Sequence, residues 1–174
     1  MNEQAVIRPM TSSDVELVYE ALEREQISKP RAYVERCGIE NETGERVTLL
    51  ALYKGQFAGW LHLLPVSKYP PFAAEGIPEI NNFDVVPSLR RIGIGSALMD
   101  AVEKLAFERG DIVGIGVGLY VSYGSAQRMY ARRGYIPDGK GVMYANTPVV
   151  PGEAVRVDDE LVLYMTKRKQ ADKD

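Results

Sequence analysis

The most regular hydrophobic pattern in the chain begins at residue 94. Apolar side chains recur there at the three- and four-residue spacing of one helix face, at Ile94, Leu98, Ala101, Val102 and Leu105. Gly110 follows, and glycine is common just after the end of a helix. Before this helix, residues 80–86 carry the apolar β-formers typical of a strand. The pattern therefore predicts a strand, a turn and a helix in succession.

Other hydrophobic runs predict further strands and helices around this unit. Strands are predicted over residues 5–8, 47–53, 57–64, 112–119 and 160–165, with an interrupted strand over 135–144. Helices are predicted from about residue 14, from Pro30 to a polar turn at residues 40–46, and over 126–133. This mixture predicts an α/β (α+β) fold class.

Two segments invite a closer interpretation. Residues 65–78 contain four prolines and predict an irregular connection, in which Tyr69 and Phe72 either pack over a substrate or tuck into the protein itself. In the predicted strand 112–119, glycines alternate with aliphatic residues. A strand with glycines on one face predicts close approach of a flat group or of another backbone.

The turn before the helix that starts at Ile94 has the chemistry of an anion site. The first N–H groups of a helix lack internal partners, and the helix dipole adds partial positive charge there. Gly93 and Gly95 let a ligand approach the backbone, while Arg90 and Arg91 supply donors suited to phosphate oxygens. The expected ligand is a pyrophosphate.

The sequence Arg90-x-x-Gly93-x-Gly95 resembles the cofactor signature of the GNAT superfamily of acetyl-CoA-dependent N-acetyltransferases. The resemblance implies a mixed, mostly antiparallel sheet of about six or seven strands with helices on both faces. It also implies acetyl-CoA as cosubstrate. The cofactor-binding residues predicted around this signature are Phe83, Val85, Val86, Arg90, Arg91, Gly93, Ile94, Gly95 and Ser96. In the family, the strand residues bind through their backbone.

A second motif of the family is similar to residues 125–135. Ala126, Tyr130, Gly134 and Tyr135 match it, and the match implies that Tyr130 protonates the leaving thiolate. A half-buried core tyrosine is the alternative. Where the family has a pantetheine-contacting asparagine, this chain has Tyr123, and Ser125 is the expected substitute.

The general base is less well defined. Many relatives carry a glutamate on the strand before the cofactor turn, which makes Glu79 the first candidate and Asp84 the second. Either carboxylate could equally be a solvated charge at a strand end, because a carboxylate needs burial or a charged neighbour to act as a base near neutral pH. An ordered water is a further alternative.

Length, charge and composition limit the kinds of partner, metal site and location that the sequence predicts. The 174 residues suit one domain, expected over 1–168 with a charged tail at 169–174. A formal net charge of −3 argues against an obligate nucleic-acid partner, and no signal peptide or membrane span is visible, so the cytoplasm is the expected location. Cys37 is the only cysteine and His62 the only histidine, so no metal site is expected. A homodimer is compatible with the sequence.

The expected function is therefore N-acetyl transfer from acetyl-CoA to an amine of a small molecule or peptide, by direct attack. The alternative is a non-catalytic acyl-CoA-binding module, which needs the pyrophosphate turn but no proton donor. The sequence does not specify the acceptor, because specificity depends on the geometry of the pocket and the cofactor signature carries none of it.

Overall fold

A computed structural model describes residues 4–171 of the chain. Contacts divide it into two compact units: the chain up to Pro65 with Ile80–Leu105, and Val66–Glu79 with the chain from Ala106 onward. The expected domain over 1–168 stays a prediction. Its first three residues, and residues 172–174 of the expected tail, lie outside the described residues.

The first unit combines four strands with two helices between its first two strands and one helix after its last strand. Its strand order is β1-β2-β3-β4, for β1 (Val6–Pro9), β2 (Val47–Tyr53), β3 (Gln56–Leu64) and β4 (Glu79–Val85), of which Glu79 falls in the second unit. Its helices are α1 (Val15–Arg24), α2 (Arg31–Thr43) and most of α4 (Ile94–Arg109). The β1–β2 and β2–β3 pairs are antiparallel.

Neighbouring residues of β3 show how this unit is layered. Trp60 is fully buried in a cluster with apolar residues of α1 and α2. Gly59 points to the opposite face, because successive strand residues alternate. A Cβ at Gly59 would lie 3.4 Å from Leu98 of α4 and only 2.6 Å from the carbonyl oxygen of Asp84. Helices therefore cover both faces of this part of the sheet, and the glycine permits close pairing of β3 with β4.

The second unit contains the remaining strands and helices. Its strand order is β5-β8-β6-β7, for β5 (Ile112–Gly118), β8 (Leu161–Arg168), β6 (Ile136–Tyr144) and β7 (Thr147–Pro148). The β5–β8, β6–β8 and β6–β7 pairs are antiparallel, with an irregularity in β6 between Pro137 and Val142. Its helices are α3 (Pro70–Glu75) and α5 (Gly124–Arg132).

The glycines of β5 confirm the prediction of close approach by flat groups. A Cβ at Gly114 would lie 2.1 Å from the ring of Phe72, and one at Gly118 would lie 2.3 Å from the ring of Tyr123. At Gly116 the Cβ would lie 2.9 Å from the side chain of Val162 and 3.0 Å from the ring of Tyr164. The flat groups are therefore aromatic rings of this chain, packed on one face of the strand.

The α/β fold class is confirmed, and the strand count is corrected. The described residues contain eight strands where six or seven were expected, because the two-residue β7 is too short to carry a periodic signal. Several strand and helix ends differ from prediction by one or two residues, and three segments differ by more. α2 continues to Thr43 and is followed by Gly44 at φ +82°, so residues 40–43 are helical and not a turn. Residues 70–75, expected to be irregular, form α3 because prolines fit the first turn of a helix. β8 continues to Arg168.

Candidate active site

The predicted cofactor strand is held in the first unit by β3. The backbone N–H of Val86 donates to the carbonyl oxygen of Ala58 at 2.9 Å, and the Val86 side chain is buried. Phe83 and Val85 are half-buried. Val86 therefore anchors the end of the strand in the core, and its N–H is already used inside the protein.

The turn between β4 and α4 depends on two left-handed residues. Arg91 has φ +64° and Gly93 has φ +92°. The guanidinium Nε of Arg90 donates to the carbonyl oxygen of Val85 at 3.1 Å, which ties the turn to the strand. Both arginine side chains are exposed. Arg90 thus stabilises the turn, while the side chain of Arg91 is exposed to solvent.

The start of α4 has the geometry of an anion site. The N–H of Ala97 donates to the carbonyl oxygen of Gly93 at 3.0 Å, so the N–H groups of Ile94, Gly95 and Ser96 precede the first internal bond of the helix. Ile94 is buried and fixes the helix, whereas Ser96 is exposed. A cleft of 640 Å³ borders this helix start, lined by Gln4, Ala5, Tyr53, Ile92, Gly93, Ile94, Ser96, Ala97 and Asp100. These features fit a phosphate-bearing ligand.

Asp84, the second candidate base, is already bound by neighbours in the first unit. The indole N–H of Trp60 donates to its Oδ2 at 3.0 Å, and the ammonium of Lys29 lies 3.7 Å from the same oxygen. The Asp84 and Lys29 side chains are 25% and 23% exposed. These two neighbours hold the Asp84 carboxylate in place at the end of β4.

Glu79, the first candidate base, lies at the start of β4 and is only 7% exposed. The hydroxyl of Ser67 donates to its Oε2 at 2.5 Å. Burial raises the pKa of the Glu79 carboxyl, and the Ser67 hydrogen bond and the charge of Lys68 oppose this rise. A carboxyl group with a raised pKa is suited to taking a proton near neutral pH.

Tyr130 lies in the second unit. It lies on α5, is 5% exposed, and packs its ring 5.9 Å from the ring of Tyr135. Gln127 of the same helix donates from Nε2 to the carbonyl oxygen of Gly118 at 2.8 Å, which fixes α5 at the end of β5. Ser125 is exposed in the first turn of α5. The structure thus groups Glu79, Ser125 and Tyr130 in the second unit, and the cofactor residues with Asp84 in the first.

Tyr123, at the position of the family's asparagine, has structural partners. Its ring covers Gly118, and its hydroxyl donates to Asp159 at 2.8 Å. Tyr120 donates to the same Asp159 oxygen, and Tyr144 donates to Asp158 at 2.9 Å. The acidic run before β8 therefore accepts hydrogen bonds from tyrosines that fix the loops around it.

The remaining titratable residues that the sequence singles out are in the core of the first unit. His62 is fully buried, and its Nδ1 is hydrogen-bonded to the Thr48 hydroxyl at 2.8 Å. Burial and the charges of Arg46 and Lys29 lower the pKa of His62, so the ring is neutral. Cys37 is also buried, and burial raises the pKa of its thiol.

Residues 4–171 contain neither a metal-binding cluster nor a membrane-spanning helix. Among them, no group of three histidine, cysteine or acidic side chains is arranged to hold a metal ion. No described helix is long and apolar enough to cross a membrane.

Sequence reasoning missed Ser67, because a single serine in a proline-rich connection has no diagnostic spacing. It also left open where Tyr69 and Phe72 pack. They are 1% and 2% exposed and pack against Tyr164, so they belong to the core and the substrate-covering alternative is wrong. The glycines of β5 could have indicated this packing, because a strand face without side chains leaves room for a ring such as that of Phe72.

Comparisons with solved structures agree with this arrangement of elements. A protein described as a GNAT-family acetyltransferase from Desulfovibrio desulfuricans is 17% identical, with a TM-score of 0.70 over 94% of this chain and 98% of that one. A ribosomal-protein-alanine N-acetyltransferase from Brucella melitensis is 18% identical, with a TM-score of 0.66 over 94% and 99%. A Salmonella typhimurium acetyltransferase that modifies the N-terminal serine of a ribosomal protein is 14% identical, with a TM-score of 0.69 over 96% of each chain.

At these identities the similarity shows the fold alone. No curated protein matches the chain by sequence. A family model does match: the model of the acetyltransferase (GNAT) family covers residues 15–135, which is well over half of the sequence. The chain therefore belongs to the GNAT family of acetyltransferases.

Proposed function

We propose that this protein transfers the acetyl group of acetyl-CoA to the primary amine of a small molecule or peptide. The observation that carries the proposal is the start of α4, where three N–H groups precede the first internal bond of the helix and the left-handed Gly93 lines a cleft together with Ile94 and Ser96. Backbone donors at a helix start favour the pyrophosphate of CoA over an uncharged ligand. Family membership supports acyl transfer as the reaction class.

Each predicted cofactor residue has a definable task in this proposal. The N–H groups of Ile94, Gly95 and Ser96, with Arg91, bind the pyrophosphate. Arg90 shapes the turn through its bond to Val85 and adds positive charge. Phe83 and Val85 present the strand along which the pantetheine arm aligns, Val86 fixes the end of that strand through its bond to Ala58, and Ser125 supplies a polar contact to the arm. Binding through backbone explains why apolar residues serve here.

The proposed reaction is a direct attack in a ternary complex. The neutral amine nitrogen attacks the thioester carbonyl carbon, a C–N bond forms and the C–S bond breaks. Glu79 accepts the proton that the amine loses, and Tyr130 donates a proton to the leaving thiolate. The phenol is suited to this task because its unperturbed pKa of about 10 keeps it protonated at neutral pH. Asp84 is the second candidate for the base.

Cys37 supports direct attack over a covalent acetyl-enzyme. A nucleophilic cysteine reacts as the thiolate and needs access to the substrate. Cys37 is 0% exposed and the pKa of its thiol is raised, which disfavours the thiolate. No other cysteine is present.

The acceptor is proposed at the level of chemical class only. Two structural neighbours act on ribosomal proteins, one of them on an N-terminal serine. Peptides with N-terminal serine or alanine therefore belong in the first acceptor panel, next to polyamines, free amino acids and aminoglycosides.

The test is release of CoA thiol from acetyl-CoA in the presence of each acceptor, with the product confirmed by mass spectrometry. Saturable, amine-dependent thiol release is the expected result. CoA binding without turnover across the panel would contradict the proposal and favour a non-catalytic acyl-CoA-binding module.

A further inference from the structure

A short hydrogen-bonded chain ends at Glu79. The backbone N–H of Tyr69 donates to the Ser67 hydroxyl oxygen at 2.9 Å, and the Ser67 hydroxyl donates to Glu79 Oε2 at 2.5 Å. Ser67 is 4% exposed and Glu79 is 7% exposed. A serine hydroxyl has a single hydrogen. Because Ser67 accepts from Tyr69, its hydrogen is directed to the carboxylate.

The segment that carries Ser67 is fixed at several points. The ring of Tyr69 stacks on Tyr164 with centroids 3.7 Å apart, and its hydroxyl donates to Asp138 at 2.8 Å. Phe72, one turn later on α3, is buried against Gly114. Ser67 lies two residues before Tyr69 and is bonded to its backbone N–H, so it is tied to this anchored segment and has little freedom to move away from Glu79. The proline-rich connection therefore holds a hydroxyl in place.

The two oxygens of Glu79 differ as a consequence. Oε2 is bound to Ser67, whereas within residues 4–171 no hydrogen bond goes to Oε1. An ionised carboxylate accepts through both oxygens, so Oε1 retains its capacity to take a proton. Fixing one oxygen also fixes the direction in which the other one points.

We propose that Ser67 is a positioning residue for the general base: its hydroxyl holds Oε2 of Glu79 and leaves Oε1 to accept the amine proton. The inference rests on the proposed function, in which Glu79 is the base. It goes beyond that function by assigning a task to the proline-rich connection, which carries no family motif.

The electrostatic surroundings agree with this task. Burial raises the pKa of Glu79, and the Ser67 hydrogen bond acts in the opposite direction. The other titratable groups that face Glu79 are Lys68 from the same segment, which favours the carboxylate, and Tyr164 from β8. Asp138 and Glu160 act on Tyr164. Ser67 is the group that donates a hydrogen bond to the carboxylate.

The decisive measurement is the pKa of Glu79 in the wild type and in Ser67→Ala, from an NMR titration of its carboxyl carbon. Glu79→Gln assigns the signal. Removing a donor to the charged form should raise the pKa by about one pH unit, which is about tenfold in the acid dissociation constant. The acidic limb of the kcat/KM profile should move upward by the same amount. Ser67→Thr, which keeps a hydroxyl, should restore both values.

Two further variants serve as a specificity control and as a substitute if Ser67→Ala does not fold. Ser88→Ala removes a serine that also donates to a glutamate, Glu25, at 2.7 Å in an exposed position, and it should leave the pKa of Glu79 unchanged. If Ser67→Ala does not fold, Ser67→Cys keeps the shape of the side chain but is a weak donor, and it should shift the pKa in the same direction.

An unchanged Glu79 pKa in folded Ser67→Ala or Ser67→Cys would overturn the inference. The NMR titration needs no acceptor, so it decides the role of Ser67 even if thiol release fails for every amine. That failure would instead overturn the proposed function.

Discussion

The ring of Phe72 occupies the space that a side chain at Gly114 would need. A Cβ at Gly114 would lie 2.1 Å from Cε2 of Phe72, a distance that real side chains do not adopt. The ring has no room to withdraw, because Tyr69 and Tyr164 contact it at centroid distances of 4.9 and 5.3 Å. The glycine in β5 is therefore part of the packing that holds α3.

Gly114→Ala should destabilise the protein by about 1–3 kcal/mol, the usual effect of inserting a methyl group into a packed core. The measurement is urea unfolding followed by circular dichroism. Gly124→Ala is the matched control, because nothing lies within 4 Å of the position that its methyl group would take and its φ of −57° suits any residue. Equal stability of the two variants would contradict the packing argument.

Substitution of the two candidate bases should separate their roles. Glu79→Gln should lower kcat by about 10²–10⁴, the usual contribution of a general base. Asp84→Asn should have a much smaller effect on kcat, because Asp84 is already held by Trp60 and Lys29. Steady-state kinetics at saturating acetyl-CoA is the measurement. A larger loss for Asp84→Asn would transfer the assignment to Asp84.

The pH profile of the wild type tests the same assignment independently. A base must be deprotonated to act, and burial raises the pKa of Glu79. Activity should therefore rise with pH through a limb that lies above the ordinary glutamate value of about 4.3. Glu79→Gln should abolish this limb, and Asp84→Asn should retain it. A limb that survives in Glu79→Gln belongs to another group.

The sequence predicts best where a pattern is long or a motif has fixed spacing. The start of α4 at Ile94 and both ends of β2 agree with the periodicity. The helical conformation of residues 40–43 is not predicted, since their polar composition favours a turn and Gly38 weakens the helix before them on propensity alone. In the structure a Cβ at Gly38 would lie 3.3 Å from Cα of Ser12, so the glycine serves close packing inside the helix.

The chemical partners of site residues are harder to predict, because they come from distant parts of the chain. Asp84 pairs with Lys29 and Trp60, and Glu79 with Ser67, at separations that no local pattern encodes. The motif predicts which residues face the chemistry. The tertiary structure decides which neighbours set their charge and orientation.

Gly95→Val should weaken CoA binding far more than it affects folding. Gly95 is the second residue of α4, where valine has a helix propensity no worse than glycine. A branched side chain would obstruct approach to the N–H groups of the first turn. We expect a loss of about tenfold to hundredfold in affinity, equivalent to about 1–3 kcal/mol of steric conflict.

The measurement for Gly95→Val is calorimetric titration with CoA, with the melting temperature as the check on folding. Gly110→Val makes the same change just after the other end of α4, where nothing lies within 4 Å. It should bind CoA like the wild type. Wild-type affinity in folded Gly95→Val would remove Gly95 from the proposed site.

Tyr130→Phe separates binding from chemistry, because it keeps the ring that packs against Tyr135 and removes only the hydroxyl. If the hydroxyl protonates the leaving thiolate, the lost interaction exists mainly in the transition state. The turnover number should then fall by about 10²–10⁴, while KM for acetyl-CoA changes much less. Tyr135→Phe, at the neighbouring buried tyrosine, is the control and should keep its turnover. Unchanged turnover in folded Tyr130→Phe would end the assignment of Tyr130 as the acid and leave water to protonate the thiolate.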